Sequence, residues 1–307
     1  MEKVYDTIIV GGGPAGLTAA IYLARANKNV LVLERGIPGG QMVNTPLIEN
    51  YPGFKKVDGV TLSLEMKAQV EDLGVEIRQT DVLEYNLKGD IKTIKTYKET
   101  LSAKTVILAL GASSKQVDCE GEQKFIGRGV SYCATCDGSL YKNKDVAVVG
   151  GGNTAFTDCI YLSDICRKVY LIHRRDAFRA DKVLEDKVRN LVKSGKVEFV
   201  LNSTVTSIQG TNSVESISVT NKITSEVINI PVSALFVAIG RSPDTSLLSN
   251  QIQLDASGYI ITDQTMQTSI AGVFAAGDCR NTLLRQIVTA TSDGAIAAIT
   301  ALTYLNR

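Results

Sequence analysis

The chain contains one segment pattern twice, and this internal repeat is the feature that most restricts its fold. With Thr7 placed on Val146, TIIVGGGPAGLTAAIYLARANKNVLVLER aligns without a gap on VAVVGGGNTAFTDCIYLSDICRKVYLIHR. Each copy has a short β-branched run, a glycine turn, a helical pattern and a second apolar run. The pattern predicts a βαβ unit in each copy, and a chain of 307 residues has room for two such domains.

The glycine turn of the first copy has the spacing GxGxxG, formed by Gly11, Gly13 and Gly16 between a predicted strand and a predicted helix. Glycine lets the backbone approach a pyrophosphate, and the helix N-terminus offers it N–H groups and a positive dipole. A glycine turn alone can serve simple chain reversal, but two turns in register favour dinucleotide sites. We therefore predict an α/β fold of two Rossmann-like domains, each with three layers around a parallel sheet.

The rest of the chain indicates how these domains are connected. Strand-rich stretches follow both copies and lead into TVILALGASSK and ALFVAIGRSPD. The C-terminal part then passes from the strand-like GYIITD through VFAAGDCR to a long apolar helix pattern, IVTATSDGAIAAITALTYL. Since this part has no counterpart in the second copy, we expect it to complete the first domain. The predicted domains are residues 1–113 with 244–307, and an inserted domain of residues 114–243.

The two copies differ at the end of their second strand, where a ribose is usually recognised. The first copy has Glu34 there, and a carboxylate accepts hydrogen bonds from a ribose diol and repels a 2′-phosphate, which favours FAD or NAD. The second copy has His173 followed by a cluster of arginines, whose planar guanidinium groups match phosphate oxygens: Arg174, Arg175 and Arg179. A short basic run is often only a solvated edge, but this position favours NADPH.

The stretch SYCATCDGSL contains the close cysteine pair Cys133 and Cys136. Half of a zinc site, an iron–sulfur ligand pair, two packing thiols and a redox disulfide all compete as interpretations. A metal site needs further ligands, and the other four of the six cysteines are scattered singly. The neighbouring Asp137 favours redox chemistry, because reducing a disulfide takes up two protons and the single histidine is assigned elsewhere. The spacing alone leaves open which cysteine does which.

The overall composition limits the class of partner. Lys plus Arg (33) nearly balances Asp plus Glu (32), so no overall field recruits nucleic acid or an anionic membrane. The N-terminus lacks a signal-peptide pattern, and no run of the length of a membrane span is expected. Sparse cysteines indicate thiols that are kept reduced, as in a cytoplasm.

The motifs taken in order resemble those of the low-molecular-weight thioredoxin reductases, which are NADPH-dependent flavoproteins. The resemblance rests on GGGPAG, GIPGGQM, IENYPG, CATCDG, VVGGGNTA, HRRDAFRA, VAIGRSPDT, VFAAGDC and RQIVTA. The related glutathione reductase-like enzymes have their redox cysteines after the first glycine motif, where this chain has none. The resemblance implies a cytoplasmic homodimer whose NADPH domain is inserted into its FAD domain and whose partner is thioredoxin.

The resemblance also implies a site and a mechanism. The implied FAD-binding residues are Gly11, Gly13, Pro14, Ala15, Gly16, Glu34, Arg35, Gly40, Gln41, Asn50, Val82, Gly111, Ala112, Asp278, Arg285, Gln286 and Ile287. The implied NADPH-binding residues are Gly152, Asn153, Thr154, His173, Arg174, Arg175, Arg179, Gly240 and Arg241. Electrons would pass from NADPH through FAD and the Cys133–Cys136 disulfide to oxidised thioredoxin, with Cys136 facing the flavin, Cys133 attacking the partner, and the NADPH domain rotating between half-reactions. A flavin-dependent dithiol oxidase or an NADPH-independent flavin disulfide reductase is the alternative.

Overall fold

The computed structural model describes residues 3–45, 47–248 and 250–307. Its chain divides into two compact units, the first formed by the residues up to Ser113 together with Ser242–Arg307, and the second by Ser114–Arg241.

The elements alternate as the repeat predicts. The helices are α1 Pro14–Arg25, α2 Gly59–Asp72, α3 Glu122–Phe125, α4 Ala134–Asp137, α5 Asn153–Ile165, α6 Lys182–Lys193 and α7 Ile287–Leu305. The strands are β1 Val4–Val10, β2 Val30–Glu34, β3 Glu76–Gln79, β4 Val82–Asn86, β5 Lys92–Thr96, β6 Thr100–Leu108, β7 Ala112–Ser114, β8 Val130–Ser131, β9 Asp145–Val149, β10 Lys168–Ile172, β11 Val197–Val200, β12 Ser203–Gln209, β13 Ser216–Asn221, β14 Val227–Pro231, β15 Ala234–Val237, β16 Arg241–Pro243 and β17 Val273–Ala275. Short 3-10 turns lie at Gly40–Asn44, Gly138–Tyr141, Ser246–Leu248 and Gly277–Cys279.

The first unit is built on a seven-stranded sheet in the order β3-β2-β1-β6-β5-β4, with β17 also paired to β6. The pairs among β1, β2, β3, β6 and β17 are parallel, whereas β4 and β5 are antiparallel additions. Alternate residues of the parallel strands face opposite cores, so that Ile9 packs with the helices and Ile8 with the layer opposite. This is the predicted three-layer arrangement.

The second unit repeats this plan on a smaller scale. Its five-stranded sheet has the order β11-β10-β9-β15-β8, and these neighbours pair in parallel. The helices α5 and α6 contribute to the core on one face, and the antiparallel meander β12-β13-β14 contributes to the core on the other. The repeat read from the sequence is therefore a repeat of architecture.

The two chain passages between the units are β7 and β16, and these strands are hydrogen-bonded to each other. The second domain boundary predicted from the sequence lies after residue 243, whereas the compact units divide after Arg241. The difference of two residues falls inside β16, whose pairing with β7 runs across the boundary of the compact units.

Two details of the C-terminal part differ from expectation. The stretch GYIITD does not form a strand, because Ile260 makes only isolated bridges with Leu254 and Arg280. The helix α7 has the length and apolarity of a membrane span by those two criteria alone, although no run of that length is expected from the sequence. It packs along α1, with its small residues Gly294, Ala297, Ala298 and Ala301 buried, as a core helix does.

Candidate functional site

The first glycine turn follows β1. Two of its three motif glycines have no room for a side chain, and the third faces free space. Gly11 has a left-handed φ of 108°, and a Cβ there would collide with the carbonyl oxygen of Ala109. A Cβ on Gly16 would collide with the carbonyl oxygen of Gly11. A Cβ built on Gly13, in contrast, would meet only the Cα of Gly40 among the described residues, at an ordinary contact distance of 3.9 Å. The turn therefore leaves an open cradle at the N-terminus of α1, where an anion is stabilised by backbone N–H groups.

Glu34 lies at the end of β2 with its carboxylate held against this turn. One oxygen, Oε2, accepts a hydrogen bond from the Gly12 N–H at 2.6 Å, and Oε1 accepts one from the Gly36 N–H at 2.8 Å. Both bonds fix the orientation of the carboxylate, and each oxygen retains a lone pair for a further donor. The position and chemistry suit a ribose diol.

The other predicted FAD-binding residues lie mostly at one edge of the first unit. Gly11, Gly111 and Asp278 follow the carboxyl ends of β1, β6 and β17, and Glu34 is the last residue of β2. These strands are mutually parallel, and the carboxyl ends of parallel strands meet at one edge of a sheet. The contacts that bring predicted residues together join Gly40 with Gly13, Asn50 with Gln286 (Nδ2 to Oε1, 3.0 Å) and Arg285 with Asp278 (Nε to O, 3.3 Å).

The remaining members of that set differ in their surroundings. Pro14 and Ala15 begin α1, Ile287 begins α7, Gln41 lies in the turn Gly40–Asn44, and Ala112 is buried at the start of β7. Val82 begins β4, in the antiparallel part of the sheet. Arg35 is exposed and pairs with Asp244, Nη1 to Oδ2, at 2.9 Å.

A buried ion pair that the sequence pattern does not indicate lies beneath this edge. Arg280 donates from Nε to Asp293 Oδ2 at 2.8 Å and from Nη2 to Oδ1 at 3.2 Å, and the two side chains are only 14% and 9% exposed. Asp293 also accepts the Gly277 N–H at 3.1 Å. The pair therefore pins the turn that contains Asp278 onto α7.

Removing one member of this pair is expected to destabilise the first unit strongly. Arg280→Ala leaves the Asp293 carboxylate buried without its main partner, which costs about 3–5 kcal/mol. Thermal unfolding followed by circular dichroism should show a fall in Tm on the order of 10 °C. Lys95→Ala is the control, because its pair with Glu84 is exposed and worth about 0.5 kcal/mol or less. Equal Tm values for the two variants would contradict this assignment.

The second glycine turn follows β9 and is likewise open. In the part of the chain that the structure describes, no atom beyond the adjoining residues and helix backbone lies within 4 Å of a Cβ built on Gly152. Asn153, the first residue of α5, donates to Asp181 Oδ2 at 2.8 Å and accepts the Asp181 N–H at 2.7 Å. The Arg179 N–H donates to the Gly151 carbonyl at 2.7 Å. These bonds hold the segment that follows β10 against the turn, beside the exposed Thr154.

The basic cluster and its histidine have opposite environments. Arg174, Arg175 and Arg179 are exposed, whereas His173 is 7% exposed and lies against Gly151, where a Cβ would collide with the imidazole. Burial, reinforced by the three arginine charges, lowers the pKa of His173, so its imidazole is neutral at pH 7. The arginines are thus placed to meet a phosphate, while the histidine supports the turn from below.

The strand β15 adds the last two predicted NADPH-binding residues at this edge. Gly240 follows it with a left-handed φ of 112° and accepts the Lys115 N–H at 2.9 Å, and Arg241 begins β16. Burial raises the pKa of Asp158 on α5 to about 6, although the charge of Arg241 opposes this shift.

The cysteine pair lies just beyond β8 and forms a disulfide, with the two Cα atoms 5.3 Å apart. Cys133 precedes α4, and its carbonyl accepts the N–H groups of Cys136 and Asp137 at 3.3 and 3.2 Å. Its own N–H donates to Ser131 Oγ at 3.1 Å. Among the residues that the structure describes, no group of three or more His, Cys, Asp or Glu side chains is arranged to hold a metal.

Asp137 directly follows Cys136 in the chain, and only one of its two carboxylate oxygens has a hydrogen-bond partner among the described residues. Ser131 Oγ donates to its Oδ2 at 2.6 Å, while Oδ1 is buried without a hydrogen-bond partner among the described residues. Burial raises the pKa of Asp137, and the hydrogen bond from Ser131 opposes that shift. A carboxyl with a raised pKa and one open oxygen can hold and release a proton next to a sulfur.

The disulfide, the second glycine turn and Gly240 share one edge of the second unit. They follow the carboxyl ends of β8, β9 and β15, which are parallel neighbours. In open parallel sheets, ligands bind at this edge. The cysteine pair and the second glycine turn therefore lie at the same edge of one sheet.

Comparison with known proteins agrees with this geometry. Residues 5–294 match the family described as pyridine nucleotide-disulphide oxidoreductase. The chain is 42% identical over 307 residues to the thioredoxin reductase of Bacillus subtilis (strain 168), covering 100% of this chain and 96% of that one. This chain belongs to the thioredoxin reductase family. The solved structure of the family member from Streptococcus pyogenes MGAS5005, 42% identical, gives a TM-score of 0.95 over 100% of this chain and 99% of that one.

Membership of the thioredoxin reductase family confirms three predictions from the sequence. The fold class is confirmed, as is an enzyme of the flavoprotein disulfide oxidoreductase class. FAD and NADPH as its cofactors are confirmed at the level of the family. The residue-by-residue contacts with these cofactors remain predictions.

Proposed function

We propose that this chain is a thioredoxin reductase that passes electrons from NADPH through FAD and the Cys133–Cys136 disulfide to oxidised thioredoxin. The observation that supports it most is the disulfide next to Asp137, which has one buried carboxylate oxygen, at the same sheet edge as a glycine turn with exposed arginines. Thioredoxin enters this proposal because relatives at 42% identity over the full chain are named thioredoxin reductase.

The two units take different nucleotides in this proposal. The unit formed by residues 1–113 and 244–307 would hold FAD, because it offers the open cradle at Gly13 and the fixed carboxylate of Glu34. The unit formed by residues 114–243 would hold NADPH, because Gly152 is open and Arg174, Arg175 and Arg179 are exposed beside it. The residues present therefore fit both groups.

The chain's own residues then perform the disulfide chemistry. Bound FAD supplies a two-electron relay between the nicotinamide and the disulfide. Reducing the S–S bond takes two electrons, and Asp137, which follows Cys136 in the chain, supplies a proton to one of the two sulfurs, so that the other is left as a thiolate; the second proton that reduction of thioredoxin needs comes from water. The Cys133 thiolate then attacks the thioredoxin disulfide to form a mixed disulfide, which Cys136 resolves by attacking Cys133 Sγ. This restores the enzyme disulfide and releases reduced thioredoxin.

We also propose that the second unit rotates between the two half-reactions. The cysteines and the nicotinamide site belong to one unit, and both must reach one flavin held by the other. The connecting segments, residues 113–118 and 241–245, would act as hinges. A chemical cross-link between the units should permit one half-reaction, measured by stopped-flow absorbance of the flavin, and block the other. Full turnover in the cross-linked enzyme would refute rotation.

Assembly and location complete the proposal. A homodimer is supported by the exposed apolar residues Val288, Ile296 and Ile299 of α7, and sedimentation velocity tests it.

A cytoplasmic location is supported by the unpaired cysteines Cys119, Cys159, Cys166 and Cys279, and fractionation of the source cells tests it.

Anaerobic titration of the purified enzyme with NADPH and with NADH tests the function. NADPH should bleach the flavin, and addition of oxidised thioredoxin should restore the flavin spectrum and generate thiols. One relative, 31% identical with a TM-score of 0.54, is described as a Ferredoxin-Flavin Thioredoxin Reductase from Clostridium acetobutylicum. Reduction by ferredoxin but not by NADPH would favour that NADPH-independent alternative. Consumption of oxygen without need of thioredoxin would favour a dithiol oxidase.

A further inference from the structure

Glu122 is a buried carboxylate outside the residues assigned to cofactors and catalysis. It is 1% exposed, at the start of α3 in the second unit. Its Oε1 accepts hydrogen bonds from the Val117 N–H and the Tyr132 hydroxyl, both at 2.9 Å, and its Oε2 accepts one from the Asp118 N–H at 2.8 Å. A buried carboxylate is costly unless it is hydrogen-bonded, and bonds to a charged acceptor are among the stronger ones.

The two backbone donors belong to the segment that enters the second unit, residues 115–121. Its path is tightly set, because Asp118 has a left-handed φ of 59° and a Cβ on Gly121 would collide with the carbonyl oxygen of Ile208. The Glu120 carbonyl also accepts the Ile208 N–H at 2.8 Å. This segment is thus fastened to β12 on one side and to Glu122 on the other.

The third donor to Glu122 is the hydroxyl of Tyr132, the residue that directly precedes Cys133. The backbone of Cys133 is held on one side by Ser131 Oγ, which accepts its N–H, and on the other by the anchored side chain of Tyr132. Burial and the carboxylate of Glu122 raise the pKa of Tyr132, so the phenol stays protonated and remains a donor. One carboxylate thereby joins the segment entering the unit to the residue before the redox disulfide.

We propose that Glu122 is a positioning residue that couples the 115–121 segment to the backbone presenting Cys133. The inference rests on the proposed function for its role in turnover. If the hydrogen bond between Glu122 and Tyr132 is weakened, the two thiols of the reduced enzyme are farther apart for more of the time. Their effective concentration for re-forming the disulfide falls, so the disulfide becomes easier to reduce. A displacement of the 115–121 segment would reach the redox pair by the same contact.

The test compares Glu122→Gln and Tyr132→Phe with wild type. Glu122→Gln replaces one of the two acceptor oxygens by an NH₂ group, so at least one of the three donors loses its acceptor and the remaining bonds lose the negative charge that strengthens them; the phenylalanine removes only the hydroxyl. Glu120→Gln is the matched control, because that side chain lies two positions away and makes no contact with Tyr132 among those the structure describes. The readout is the equilibrium constant of the Cys133–Cys136 disulfide with dithiothreitol, which requires neither NADPH nor thioredoxin. Failure of the proposed function therefore cannot be mistaken for failure of this inference.

We expect the equilibrium to shift toward the dithiol by about fivefold or more in Glu122→Gln, and by a smaller factor in Tyr132→Phe. The double variant should resemble Glu122→Gln alone, because both substitutions weaken the same contact between Glu122 and Tyr132. The kcat with thioredoxin should fall while the KM for NADPH stays unchanged. A fully additive double variant, or wild-type equilibria in both single variants, would overturn the inference. If Glu122→Gln does not fold, Tyr132→Phe decides by its equilibrium alone.

The other thiols do not confound this measurement. Burial raises the pKa of Cys119 and Cys166 to about 11 and that of Cys159 to about 12. Cys279 is fully buried, and burial raises its pKa to about 11. Alkylation at neutral pH therefore reports chiefly on Cys133 and Cys136 when the equilibrium is quenched.

Discussion

Replacing Asp137 by asparagine is expected to slow turnover about a hundredfold or more while leaving the fold and the disulfide in place. Asparagine keeps the size of the side chain and still accepts the hydrogen bond from Ser131, but it has no proton to supply at the sulfur. The measurement is steady-state reduction of thioredoxin by NADPH, with flavin reduction by NADPH followed separately. Only the steps that involve the cysteines should slow.

The pH dependence of kcat should follow the protonation state of the half-buried Asp137 carboxyl. Burial raises the pKa of Asp137, and an acid that must be protonated is lost as pH rises through its pKa. Since the hydrogen bond from Ser131 lowers that pKa, Ser131→Ala should move the alkaline fall in kcat to higher pH. Asp137→Asn should remove that limb altogether.

The free energy of unfolding of Asp137→Asn distinguishes a role of Asp137 in proton transfer from a role in holding the fold. A carboxyl whose pKa is raised by folding stabilises the fold least when it is ionised, so its contribution is lost as pH rises above the ordinary value of 3.8. Asp137→Asn should therefore be at least as stable as wild type at pH 7 in urea unfolding. A variant that loses activity and stability together would indicate that Asp137 only holds α4.

Removing the phosphate-binding arginines is expected to erase most of the preference for NADPH. A hydrogen bond to a charged group contributes about 1.5–3 kcal/mol, so Arg174→Ala combined with Arg175→Ala should lower the ratio of kcat/KM for NADPH over NADH by about a hundredfold or more. Both side chains are exposed beside the second glycine turn, so the loss should fall on NADPH binding and not on folding. Flavin bleaching by the two nucleotides measures the ratio.

A matched control lies at the opposite edge of the same sheet. Arg167 is exposed and pairs with Asp145, and these residues lie at the amino ends of β10 and β9. Arg167→Ala should leave the nucleotide preference unchanged, and dithionite should reduce all variants equally. An unchanged preference in the double variant would show that the cluster is only a solvated edge.

The parts of the fold that the sequence predicted are those with local causes. The runs before Gly11 and before Gly150 are β-branched and end in glycine turns, so strand, turn and helix follow from neighbouring residues. GYIITD has the same local pattern, but in the structure Ile260 makes only isolated bridges, so tertiary context overrides the pattern.

The parts of the site that were missed depend on contacts between distant elements. Glu122 is one of many acidic residues in the sequence, and only its burial against Tyr132 sets it apart. The same holds for Arg280 and Asp293, which lie on a turn and on α7. His173 illustrates the reverse case, because its place among arginines in the sequence gives no hint that it is buried beneath Gly151.

The paired strands β7 and β16 have a consequence for how such a chain can arise. Because β7 and β16 are hydrogen-bonded to each other, the inserted residues 114–241 leave and re-enter the first unit at adjacent positions, as the loop of a β-hairpin does. Closing a chain through an insertion whose ends already meet adds little entropic cost, whatever the length of the insertion. A gene encoding one nucleotide-binding module could thus accept a second copy of itself between adjacent strands and keep both modules foldable.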